Sequence, residues 1–308
     1  MQFNHISVLK QESISGLNIK PDGIYVDCTL GGGGHSLEIA KRLTTGRLYC
    51  FDKDEDAIAY AKTVLNEHLN KITIIHDNFK NIKQSLADLG VDKVDGILAD
   101  LGVSSYQLDT AERGFSYRYD ARLDMRMDKS KGISAYEVIN TYSDKDLQKI
   151  LFSYGEEKNT FAIVKKIIAK RQEKPIETTF ELKDIITSCY PAKDRNKPAL
   201  ANKVFQAIRI EVNGELDDLD SLEDMIWLLN PKGRLCVITF HPLEDRITKN
   251  LFKLHATDCL CPPKMPKCVC GHSSDITLVS RKPIIPSEEE LLHNSRSASA
   301  KLRVIEKK

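Results

Sequence analysis

Residues 26–35 read Val-Asp-Cys-Thr-Leu-Gly-Gly-Gly-Gly-His, and seventeen residues later the run Leu-Tyr-Cys-Phe closes on Asp52. This is a strand, a glycine turn, a helix and a second strand ending in a carboxylate. It commits the start of the chain to a parallel α/β unit of the kind that grips a nucleoside-containing ligand. Glycine permits positive φ and leaves the backbone bare. The helix after it offers unpaired N–H groups to an anionic group. A carboxylate ending the second strand can accept both hydroxyls of a ribose. A dinucleotide fingerprint wants a third glycine at position 36, after Gly31 and Gly33, and that position is Ser36. A pyrophosphate therefore fits less well than a smaller carboxylate-bearing ligand, and S-adenosylmethionine is such a ligand.

The alternation continues. Short apolar runs at 24–28, 47–52, 72–76 and 94–100 have the character of buried parallel strands. Helical patterns at 35–43, 54–66 and 78–89 separate them, and the acids at 54–56 suit the start of a helix. From 108 to 212 the rhythm stops. Helical stretches are expected at 143–154, 159–173, 179–188 and 199–212, with no convincing strand. A helix over 215–229 and a strand over 234–240 resume the pattern, and 276–280 and 302–305 are expected near the sheet edge. The fold class expected is α/β: a doubly wound sheet built from residues 1–107 and 213–308, carrying an inserted all-helical domain over 108–212.

Charge bears on partners only through its distribution. Lys plus Arg (45) nearly cancels Asp plus Glu (44). Residues 160–210 nevertheless carry eleven basic and five acidic side chains, and 211–230 carry seven acids and no base. Both can be solvated helical faces. The first can also be a surface for RNA phosphates, whose attraction would depend on salt. No apolar run is long enough to span a membrane, and the first residues lack the pattern of a signal peptide. A cytoplasmic protein with no membrane partner is expected. No feature fixes the oligomeric state.

Ligands of open parallel sheets sit beyond the carboxyl ends of the strands. Those ends hold Gly33, Gly34 and His35; then Asp52; then Asp77, Asn78 and Phe79; then Asp100, Leu101 and Gly102, with Gln107 following. Phe79 suits an adenine face. Asp100 would face the cleft. The stretch 107–128 interleaves arginines, aromatics and acids and reads as a loop over a cleft, with Arg113 and Arg118 near phosphates and Phe115 or Tyr117 near a base. Cys259, Cys261, Cys268 and Cys270 form two CxC pairs that could supply four thiolates to zinc. Their spacing is tighter than CxxC, and Pro262, Pro263 and Pro266 stiffen the loop, so a reduced, metal-free segment without a part in the chemistry is expected.

In order along nearly the whole chain stand His5-Ile-Ser-Val-Leu, Asp27-Cys-Thr-Leu-Gly-Gly-Gly-Gly-His-Ser, Asp100-Leu-Gly-Val-Ser-Ser, Glu112-Arg-Gly-Phe-Ser, Leu123-Asp-Met-Arg-Met-Asp and Tyr154-Gly-Glu-Glu. Then follow Phe205-Gln-Ala-Ile-Arg-Ile, Phe240-His-Pro-Leu-Glu-Asp-Arg and Ser299-Ala-Lys-Leu-Arg. With these motifs the chain closely resembles the bacterial 16S ribosomal RNA cytosine-N4 methyltransferases, the H family of small-subunit methyltransferases. The resemblance implies a class I, Rossmann-like methyltransferase that uses S-adenosylmethionine. It implies N4 methylation of one cytidine in the decoding region of 16S rRNA in the small ribosomal subunit. It also implies cofactor contacts from Gly33, Gly34, His35, Asp52, Phe79, Asp100 and Gln107. Three departures stand out: Tyr106 where Pro is usual, Pro242 where Ser is usual, and Lys158-Asn-Thr-Phe161 one residue longer than the usual segment. Two rivals remain at this point, a nicotinamide-dependent oxidoreductase and a non-catalytic RNA-binding module for ribosome assembly. Asp100 is the candidate catalytic residue, as the group that could orient the amine. No general base stands out.

Overall fold

The structure, a computed structural model, describes residues 7–195, 197, 199–262, 265 and 267–308. His5 and Ile6 of the first motif, and Pro263 and Pro266 of the cysteine segment, lie outside the described residues. The chain divides into two compact units, one made of Met1–Gly102 with Leu216–Lys308 and the other of Val103–Glu215.

The first unit begins with α1 (Lys10–Leu17), β1 (Ile24–Asp27), α2 (Gly34–Arg42), β2 (Arg47–Asp52), α3 (Glu55–Val64), β3 (Ile72–His76), α4 (Ile82–Asp88) and β4 (Val94–Asp100). The second unit contributes α5 (Ser105–Asp109), α6 (Ala135–Thr141), α7 (Asp144–Ser153), α8 (Thr160–Glu173), α9 (Thr179–Ser188) and α10 (Asn202–Asn213). The chain then returns to the first unit with α11 (Ser221–Leu228), β5 (Leu229–Thr239), α12 (Pro242–His255), β6 (Ile276–Leu278), α13 (Glu288–His293) and β7 (Lys301–Lys307).

The seven strands form one sheet in the order β3-β2-β1-β4-β5-β7-β6. The first five run parallel; β7 is antiparallel to β5, and β6 to β7. Order reverses between β1 and β4, which makes the crevice there the switch point where such sheets bind ligands. Side chains alternate between two cores as the pleat requires. Leu48, Cys50, Leu98, Cys236 and Ile238 bury themselves against α1, α2 and α3, while Phe51, Ile97, Ala99, Leu235 and Val237 face the α4, α11 and α12 side. This is the doubly wound sheet expected, and the expected strands fall on β1 to β7 within a few residues.

α1 was not anticipated. Its sheet-facing side carries the small buried Ser13 and Gly16 beside Ile14 and Leu17. A Cβ at Gly16 would stand 2.9 Å from Cys236 Sγ, so the helix lies close on β5 through smallness rather than through an apolar stripe. Pro242 opens α12 in its first turn, where a missing N–H costs nothing.

Among its described residues the second unit is helical apart from an isolated bridge between Arg122 and Thr178. Its core joins Leu147, Ile150, Ile163, Val164, Leu182 and Val204 to residues of the segment expected as a loop over a cleft. Phe115, Leu123, Met125 and Met127 are buried in that core. Arg113 is buried too, its guanidinium donating to the carbonyls of Arg126 and Met127 at 3.0 Å. Arg113 and Phe115 are thus structural, which corrects their expected places near a phosphate and a base. Tyr117 packs edge-on against Phe205 at 5.0 Å and donates to Asn202, while Arg118 stays exposed. Part of the basic excess is also spent internally: Arg171 donates to the carbonyls of Ile139 and Tyr142 at 2.7 Å, and Arg209 pairs with Glu215 at 2.8 Å.

Candidate functional site

Three neighbouring strands end in aspartates. Asp27 closes β1, beside Cys50 of β2 and Leu98 of β4, so Asp52 and Asp100 each lie two residues further along on either side. Asp27 is buried and committed inward, accepting from Ser36 Oγ at 2.6 Å and from the Thr29 N–H at 3.1 Å. Burial raises its carboxyl above the usual range despite those donors.

Asp52 supports the glycine turn. Its Oδ2 accepts from the Gly31 N–H at 2.7 Å and its Oδ1 from the Asp54 N–H at 2.9 Å. Burial pushes its carboxyl up to about 6, while those two N–H groups pull the other way. The glycines differ in what they face. Gly33 caps α2 at φ +78°, and the space of a Gly34 Cβ is taken by Ser7 Oγ. At Gly31 a Cβ would meet nothing nearer than the Thr29 carbonyl at 3.8 Å. Gly33 is explained by its left-handed backbone and Gly34 by its close approach to Ser7, while Gly31 fronts open space.

His35 is buried, its Nε2 3.1 Å from the Val8 carbonyl and its Nδ1 3.7 Å from Asp100 Oδ2. The first motif thus clamps the turn through Ser7 and Val8. Asp100 is held by its own N–H, which donates to Thr29 Oγ1 at 2.8 Å. Its side chain is 20% exposed, yet Oδ1 is buried with no hydrogen-bond partner. Burial raises its carboxyl well above the ordinary range, and the charges of Asp27, Glu244 and Glu290 add to that. An orphaned carboxylate oxygen suits a ligand that brings a cationic N–H donor.

Past β3, Asp77 caps the next turn, accepting from the Asn78 N–H at 2.7 Å and from Ser85 Oγ at 3.0 Å. Phe79 is half-buried against the α4-side core. Asn78 donates to both oxygens of Asp218 at 2.9 Å, and Lys53 reaches the same carboxylate at 3.3 Å. Asp218 and Glu290, whose Oε1 accepts from the Leu9 N–H at 2.9 Å, were not anticipated. Asp218 sits in an acidic run that reads as a solvated face, and only its proximity to Lys53 and Asn78 distinguishes it. Gln107 belongs to the other unit, where its Oε1 accepts from the Ser104 N–H at 3.0 Å in a capping box. Gly33, Gly34, His35, Asp52, Phe79 and Asp100 share the strand-end side of the first unit; Gln107 is not among them.

The last two motifs meet in the same unit. Asp245 of the first accepts from Arg303 at 2.8 Å and from Lys301 at 3.1 Å of the second. Further along, Cys259, Cys261, Cys268 and Cys270, expected as a metal-free segment, bring their four sulfurs within 4.8 Å of one another.

Comparison with known proteins places the chain among close relatives in sequence. The chain is 56% identical over 310 residues to the ribosomal RNA small subunit methyltransferase H of Finegoldia magna, covering 100% of this chain and 99% of that one. It is 54% identical to the protein of the same name from Clostridioides difficile, with 100% of both chains covered. An rRNA methylase of Streptococcus thermophilus, known from its crystal structure, aligns over 98% of this chain and 97% of that one at 11% identity, with a TM-score of 0.42, a likeness too slight to build on. Motifs spread from the first strand to the last are accounted for together by a match over residues 2–308, and the chain belongs to the MraW methylase family.

Proposed function

We propose that this chain transfers a methyl group from S-adenosylmethionine to the N4 amine of a cytidine in the decoding region of 16S ribosomal RNA, within the small ribosomal subunit. The observation that carries this is membership of a methylase family over residues 2–308, with relatives above 50% identity that bear the name ribosomal RNA small subunit methyltransferase H. The rival readings, an oxidoreductase and a binder without activity, leave that membership unexplained.

S-adenosylmethionine, when bound, supplies an electrophilic methyl group on a sulfonium. The residues fit it. Asp52 keeps lone pairs beyond those used by Gly31 and Asp54 and would take the ribose hydroxyls. Phe79 would lie against the adenine. The unpartnered Oδ1 of Asp100 would accept from the cofactor's ammonium or from the substrate amine. The N4 lone pair of cytosine is delocalised into the ring, so the amine is a poor nucleophile and must be oriented. A carboxylate that accepts one N4–H turns the lone pair away from that contact, and Asp100 is the chain's candidate for this. Catalysis of this kind rests on positioning, which can contribute several kcal/mol. The base must also leave its stack to enter the site. Cys28, Cys50 and Cys236 are buried with thiols pushed up by that burial, which argues against attack of a cysteine on the ring.

The helical unit would hold RNA phosphates through exposed cations such as Lys165, Lys193 and Arg118. RNA affinity should then fall steeply between low and moderate salt, and a flat response removes that role. The reaction is tested with tritiated S-adenosylmethionine and small-subunit particles from a strain lacking this gene, digested afterwards to nucleosides. Label in N4-methylcytidine is expected. Label in another nucleoside overturns the N4 assignment, and no label in any RNA overturns the enzyme.

A further inference from the structure

The segment between α12 and β6 is long, and its described residues have no core to fold around. Among the described residues from 256 to 275 none is buried, and Leu260 and Val269 are 51% and 71% exposed. Its feet are nevertheless pinned together. The Asp275 N–H donates to the His255 carbonyl at 3.1 Å, and the His255 ring joins Asp275 and Glu223, each at 2.8 Å. Inside this closed loop the two CxC pairs face one another.

The sulfur spacing is specific. Cys259 Sγ lies 3.4 Å from Cys268 Sγ and 3.8 Å from Cys270 Sγ; Cys268 and Cys270 are 3.5 Å apart, and Cys261 and Cys268 are 4.0 Å apart. All four fall within 4.8 Å of one another. Four thiolates bound tetrahedrally at about 2.3 Å from zinc stand about 3.8 Å apart. The eight cysteines are free thiols, so these are not disulfide contacts. Backbone donors also point at the sulfurs: the N–H groups of Leu260, Cys261 and Val269 each reach a different cysteine, Cys270, Cys259 and Cys261, at 3.4 Å. Such N–H groups are the outer support that stabilises metal-bound thiolates. The His272 ring is engaged with the Leu254 carbonyl at 3.0 Å, which leaves the donor set as sulfur alone.

We propose that Cys259, Cys261, Cys268 and Cys270 bind one zinc ion as a closed tetrathiolate site that shapes this loop. The expectation of a metal-free segment rested on CxC being a tight bite. The fold removes that objection, since each pair supplies two corners and the two pairs stand together in space. With four protein ligands the site keeps no open position, so its role is structural. In a loop without an apolar core, the ion takes the part that packing plays elsewhere.

The test is metal analysis of full-length protein purified without chelator, beside a Cys259→Ser, Cys268→Ser double variant. About one zinc per chain is expected, falling below about a tenth in the variant while affinity for S-adenosylhomocysteine is kept. Should the variant fail to fold, the wild-type protein decides alone. Displacing its metal with cobalt should produce the visible bands and sulfur-to-metal charge transfer of tetrahedral tetrathiolate cobalt, and a mercurial thiol reagent should release zinc in step with four thiols. Protein without zinc whose four thiols react freely overturns the proposal, as does zinc retained by the variant. Stoichiometric iron in place of zinc overturns the choice of metal.

Discussion

The carboxyl ends of β1, β2 and β4 and the cysteine loop both gather like groups that repel one another when ionised, but the fold holds them by opposite means. The three aspartates are fixed by the sheet. Their strands are buried on both faces, backbone N–H groups reach Asp27 and Asp52, and the Asp100 backbone is tied to Thr29. Among the described residues of their own loop the four cysteines have no buried neighbour, and sulfur and a few N–H groups face each other there. The first arrangement is prepared before a ligand arrives. The second depends on its ligand to exist as a shape.

Substitution at Asp100 should break this comparison most visibly. Asp100→Asn keeps the shape and removes the charge, so turnover should fall about a hundredfold while cofactor affinity changes by less than about tenfold. Equal losses in both would reduce Asp100 to a binding residue. Asp52→Ala should act on binding instead: losing a charge-assisted pair of hydrogen bonds costs roughly 1.5–3 kcal/mol, about ten- to a hundredfold in affinity by calorimetry. Unchanged affinity would remove Asp52 from the site.

The prepared arrangement also carries a stability cost with a pH signature. The Asp52 carboxyl stands at about 6 in the folded chain against an ordinary 3.8, so between those values the folded state holds the extra proton. Its contribution is fully present at the acid end and is lost as pH rises through about 6. Denaturant unfolding of the wild type relative to Asp52→Asn should therefore lose about 2–3 kcal/mol between pH 4 and pH 7. A difference independent of pH would show that the Asp52 carboxyl is not raised. The smallest effect is expected from the loop: Cys259→Ser should change S-adenosylhomocysteine affinity by less than about twofold, since a structural metal site is separate from the aspartates. A large loss there would join the two regions.

The sheet was legible because β1 to β4 are apolar runs punctuated by turns, and buried parallel strands advertise themselves that way. α1 was illegible because it meets the sheet through Ser13 and Gly16, which no hydrophobic period reveals. The segment 107–128 misled for the converse reason. Arg113 reads as solvent-facing, yet its charge is absorbed by two carbonyls of its own segment. At the site, Asp52 and Asp100 were visible as strand-final carboxylates. The partnership of Asp218 with Lys53 and Asn78, and that of Glu290 with Leu9, join residues more than a hundred positions apart, and no local pattern carries them. The cysteine spacing was legible, but the convergence of the two pairs depends on a loop whose feet are closed by His255 and Asp275.

The position of β7 has a consequence for the order of assembly. β6 comes earlier in the chain, yet it pairs only with β7, which lies between it and β5. β6 therefore joins the sheet only with β7 or after it. Until β7 is in place the cysteine loop is tethered to the sheet through α12 alone. A nascent chain would thus pass through a stage in which its thiols are together in sequence but not yet in space, and metal capture and completion of the sheet edge would each favour the other.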